Sequence, residues 1–122
     1  MMDLAIGMFV VPCVFIIFDV VTGVVKAVKA KDLSSTRMRE GAFHKFGEML
    51  FLLFAALCHA TLTTAPYCDL GIPSEILCFV SGYVIIQECF SILENIYEIN
   101  PDMPLSDMMK LFNISKSNEK DK

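Results

Sequence analysis

The 122 residues are enough for one domain, and 55% of them are hydrophobic, with a mean hydropathy of +0.57 and a formal net charge of −4. The apolar residues lie in three blocks, each near the ~20 residues that cross ~30 Å of hydrocarbon, without the polar residue every turn that a soluble helical bundle needs. The expected fold class is therefore all-α: an integral membrane protein with three transmembrane helices plus a short C-terminal amphipathic helix, forming one membrane domain over 1–112 with a disordered polar tail over 113–122.

The first span is expected over about 4–25. MMDLAIGMF carries no Lys or Arg ahead of its apolar run and no small-residue cleavage site follows, so the block is read as a retained span rather than a signal peptide. Pro12 removes one helical hydrogen bond, which membrane helices tolerate. Asp19 ends the uncharged run, about 9 Å along the helix from Val25. Asp19, Thr22, Gly23 and Lys26 follow at helical spacing as a polar, small-residue stripe. Two readings stand: the stripe faces another helix or water, or the Asp reaches the headgroups from an interfacial helix end.

Residues 26–45 form the basic connection. Lys26, Lys29, Lys31, Arg37, Arg39 and Lys45 stand against Asp32 and Glu40, a local balance of +4 in an acidic chain. The first helix is expected to continue to about Lys31, to break at Asp32–Thr36, and to be followed by a new helix near Ser34 or Ser35, both good caps. Lys29, Lys31, Arg37, Arg39 and Lys45 are assigned to the membrane surface, where anionic lipids attract them. A nucleic-acid role is rejected, because the patch is short, tethered to apolar spans on both sides and carries no binding fold.

The second span is expected over about 46–65, with Glu48 beside Lys45 or Arg39. His59 is either a proton-sensitive, pore-facing group or a structural hydrogen-bonding one among Ala55, Ala56, Ala60, Thr63 and Thr64. The turn 66–74 holds Pro66, Gly71 and Pro73 and no Lys or Arg. Set against the basic connection, it orients the chain with the N-terminus outside and the C-terminus in the cytoplasm. The third span is expected over about 75–96. Ser81, Glu88, Ser91 and Asn95 share one face with Val84, as an oligomer- or pore-facing stripe or as a set of structural hydrogen bonds. Leu105, Met108, Met109 and Phe112 give an amphipathic helix over about 104–112.

Cys13, Cys58, Cys68, Cys78 and Cys89 form neither a disulfide framework nor a zinc pattern, and only Cys68, in a turn, is placed to cross-link. No nucleophile, phosphate-loop or metalloprotease motif is present. No enzyme activity, cofactor or metal is expected. No inverted repeat suggests a transporter, and a chain this small needs self-association to enclose a pathway.

Asp19-x-x-Thr22-Gly23, then Lys26-Ala27, Ser34/Ser35, Met38, Gly41 and Lys45 resemble the D-x-x-T-G…K-A…S…G…K pattern of the phage-lysis/toxin-secretion holin family. Glu88-Cys89-Phe90-Ser91-Ile92-Leu93-Glu94-Asn95 is similar to that family's E-x-x-S-I-x-E-N. The segment from Tyr97 to Pro104 departs from it, since the family commonly has a Gly and a Pro there. The resemblance implies a phage- or prophage-encoded protein of the bacterial cytoplasmic membrane. Such a protein accumulates as a homo-oligomer in the lipid bilayer and permeabilises it, so that a murein hydrolase (endolysin) or a toxin crosses. The rival reading is a small accessory subunit that anchors or regulates a larger membrane transport complex.

Overall fold

The computed structural model describes residues 2–102 together with Pro104, Asp107 and Lys110. The amphipathic helix expected over about 104–112 lies, apart from those three residues, outside the described residues, as does the whole tail 113–122.

Three helices run up, down and up: α1 (Met2–Ala30), α2 (Ser35–Thr64) and α3 (Ile76–Ile99). The fold is all-helical among the described residues. Each helix is long and apolar enough to cross a membrane. At 1.5 Å per residue the 29 residues of α1 measure about 43 Å, more than the ~30 Å hydrocarbon core. α1 passes through Pro12 without interruption, with the ring fully buried.

The connection between α1 and α2 is only Lys31–Ser34, so most of the basic segment 26–45 is helix. Lys31 has φ 55°; its N–H donates to Val28 O (3.2 Å) and the Asp32 N–H to Ala27 O (3.1 Å). These two bonds form a Schellman cap with Lys31 at the left-handed position that favours glycine. Lys31→Gly is expected to stabilise the fold by about 1 kcal/mol, seen as a higher thermal midpoint in detergent. Ser34 then caps α2, its Oγ accepting from the Arg37 N–H at 3.4 Å. On the opposite side, the Gly71 N–H donates to Asp69 Oδ1 (2.9 Å), and φ 62° at Gly71 turns the chain toward α3.

The core is thin. Ile16, Leu52, Ala55, Leu77, Val80 and Val84 make one buried apolar layer toward the 65–75 turn. Most other large apolar side chains point outward, including Ile17 (63% exposed), Phe54 (60%) and Phe79 (66%). A water-soluble surface does not carry such a belt all round, whereas hydrocarbon welcomes it. The hydroxyls of Thr61, Thr63 and Thr64 donate back to the carbonyls of Leu57, His59 and Ala60, which satisfies them without water. α3 packs mainly on α1 and less on α2, while α1 and α2 touch least.

Candidate functional site

One layer below the apolar core, the three helices meet through charge. Lys45 Nζ on α2 lies 2.6 Å from Asp19 Oδ2 on α1. It also donates to both carboxylate oxygens of Glu88 on α3, at 2.6 and 2.7 Å. Glu48, one turn along α2, brings Oε2 to 3.6 Å from the same ammonium, and that oxygen is shut from solvent without a hydrogen-bond partner. One ammonium thus faces three carboxylates. Asp19 is 5% exposed and Glu88 1%.

A second set of bonds ties α3 to α1. The Asn95 amide donates to Asp19 Oδ1 (3.0 Å) and to Thr22 Oγ1 (3.0 Å), and lies 3.4 Å from Asp19 O. The Thr22 hydroxyl donates back to Asp19 O at 3.0 Å. Ser91 also borders Asp19. The sequence pattern explains the convergence. Asp19 and Thr22 are three apart on α1, Lys45 and Glu48 three apart on α2, and Glu88, Ser91 and Asn95 three to four apart on α3. Each helix therefore presents one polar edge at the same height.

That height is deep. Glu88 stands at the middle of α3, and Asp19 lies eleven residues, about 16 Å, from the end of α1 at Ala30. This is about half the hydrocarbon thickness. A span ending at Val25 had put Asp19 closer to the interface; the continuation of α1 to Ala30 sets it deeper.

The sequence-selected residues divide in three. Asp19, Thr22, Glu88, Ser91 and Asn95 come together in this layer. Lys45, grouped by the sequence with the surface cations, joins them with its side chain only 22% exposed. Ser81 is buried but sits two turns from Glu88, about 10 Å along the axis, in the apolar layer. A Cβ on Gly23 would meet Asn95 Nδ2 at 3.7 Å, an ordinary contact, so Gly23 gives room to the Asn95 amide without being strained. Gly23→Ala is accordingly expected to leave the thermal midpoint in detergent at the wild-type level, while Gly23→Leu lowers it.

The remaining cations work at the open end of the bundle. Lys26 pairs with Glu98 at 3.5 Å. Lys29 Nζ donates to the Glu98 and Ile99 carbonyls (3.2 and 2.6 Å), a cation on the exposed C-terminal carbonyls of α3 that sequence reasoning missed. Arg37 pairs with Asp32 at 2.6 Å, and Arg39 and Lys31 are exposed. Between α1 and the start of α2, Lys26, Asp32, Arg37 and Glu98 edge a cavity of about 680 Å3 that has Val24 and Met38 in its walls and reaches Asp19, Lys45 and Asn95 of the polar layer. His59 stands half-buried on α2, outside the polar layer. Among the described residues no group of His, Cys, Asp and Glu has the arrangement of a metal site.

No curated protein and no solved structure matches the chain. A family model described as the bacteriophage holin family matches residues 2–114, nearly the whole sequence. The chain belongs to the bacteriophage holin family and is a multi-pass protein of the cytoplasmic membrane.

Proposed function

We propose that the protein acts as a holin: it accumulates in the bacterial cytoplasmic membrane, oligomerises and permeabilises it, and thereby releases an endolysin or a toxin. The observation that carries this reading is the polar layer of Asp19, Lys45, Glu88 and Asn95, held midway along helices with apolar outer faces. Hydrocarbon offers these groups nothing, so they need either protein or water. A single chain hides them by closing on itself. At high density, an assembly can instead turn them toward a wet lumen, with Thr22, Gly23, Lys26, Ser81 and Ser91 continuing the polar face. Lys29, Lys31, Arg37 and Arg39 remain at the cytoplasmic surface, and the N-terminus lies outside. The protein does no covalent chemistry in this scheme.

Liposomes loaded with both a small dye and a folded protein of endolysin size test this directly. Both cargoes are expected to escape above a threshold protein-to-lipid ratio, and Asp19→Ala and Glu88→Ala are expected to move that threshold several-fold. Retention of both cargoes at every ratio would instead favour the accessory-subunit reading.

A further inference from the structure

We infer that α2 is the element that changes partner during assembly, so that Lys45 of one copy is received by Asp19 and Glu88 of a second copy. The inference rests on the self-association proposed above and names the residues that carry it. Four observations lead to it.

α2 is the least embedded helix. Only Leu52, Ala55 and Cys58 of its thirty residues are buried, whereas α1 and α3 pack closely and are tied by Asn95 on Asp19 and Thr22. Separating α2 breaks the Lys45 contacts and takes Leu52 and Ala55 out of the apolar layer, but leaves the Asn95 bonds between α1 and α3 in place.

α2 also carries its own counter-ion. Glu48 Oε2 lies 3.6 Å from Lys45 Nζ on the same helix and accepts no hydrogen bond. As Lys45 leaves Asp19 and Glu88, Glu48 takes the ammonium, so α2 does not cross hydrocarbon as a bare cation. The pair left behind is different. Asp19 and Glu88 then face each other as buried carboxylates without a cation, a surface that selects a Lys at the height of Lys45. A second copy supplies that residue on a helix of the same shape.

The α1–α2 hinge suits exchange. It is four residues long and holds Lys31 in a left-handed conformation that costs a non-glycine residue energy. Short strained hinges favour swapping of an identical element between copies. Extended, four residues reach about 14 Å, more than the 8–10 Å between packed helix axes, so α2 can seat on a neighbouring α1–α3 pair. The other link, 65–75, is longer and sets no limit.

Mixing two full-length variants tests the inference. Lys45→Met keeps the acidic receiver and lacks the cation. Asp19→Asn/Glu88→Gln keeps the cation and lacks the receiver. In an exchanged pair the Lys45 of the second chain meets the carboxylates of the first, and the reciprocal site is neutral. Differently tagged chains reconstituted together are expected to co-purify several-fold more as the mixture than either variant does with itself. The triple neutral chain Asp19→Asn/Lys45→Met/Glu88→Gln has no charge to re-pair and is expected to gain nothing from mixing, which separates exchange from a folding defect. Mixtures no better than the single variants, beside a self-associating wild type, overturn the exchange and leave the holin reading standing. A wild type that stays monomeric at every density overturns both.

Discussion

Lys45→Met is expected to lower the stability of the closed three-helix bundle by about 3–5 kcal/mol, because it leaves Asp19 and Glu88 buried and unpaired. Unfolding in mixed micelles measures this, and a loss under about 1 kcal/mol would show that the carboxylates find water or another cation. The sign reverses when the partners go too. Adding Asp19→Leu and Glu88→Leu removes the stranded charges, and stability is expected to return to within about 1 kcal/mol of wild type or above it. The charge layer is therefore expected to contribute register between the helices more than net stability. A bundle held by apolar residues at this height is expected to be as firm.

The second large effect is at Asn95. Its amide is the only described side-chain donor joining α3 to both Asp19 Oδ1 and Thr22 Oγ1. Asn95→Leu is expected to cost about 2–3 kcal/mol, the penalty for leaving a buried carboxylate oxygen and a hydroxyl short of a partner. Asn95→Asp is expected to cost more, since a second carboxylate is then set against Asp19. The same unfolding titration reads both. A variant in which α1 and α3 still associate as tightly as wild type would assign their contact to the apolar layer of Ile16, Val80 and Val84 instead.

Much of this was legible in the sequence because membrane insertion leaves a strong linear trace. Three apolar blocks of spanning length become three helices, and Ser34, the first of the serines after Asp32, becomes the cap of α2. The inward edges of α1 and α3 were also visible: Asp19 with Thr22, and Glu88 with Ser91 and Asn95, share helical faces by spacing alone. What spacing could not supply was the partner across the bundle. Lys45 read as one more surface cation because it closes the basic segment that holds Arg37 and Arg39. The overlooked signal is electroneutrality: two carboxylates within spans call for a cation, and Lys45 is the one Lys or Arg that stands beside a Glu one turn into the second apolar run. Ser81 shows the opposite limit, since a shared face does not mean a shared height. The Lys29 clamp on α3 depends on where two helices end, which periodicity does not fix.

As a holin, this chain alone is expected to leave the membrane intact until it assembles and then to breach it. The most direct measurement is inducible expression of the wild-type chain in a bacterium, following culture density and membrane potential together, with and without a co-expressed endolysin. The account predicts a delay, then an abrupt loss of potential with growth arrest, and lysis only where the endolysin is present. Steady growth and an undisturbed potential, with the protein demonstrably in the membrane, would contradict it.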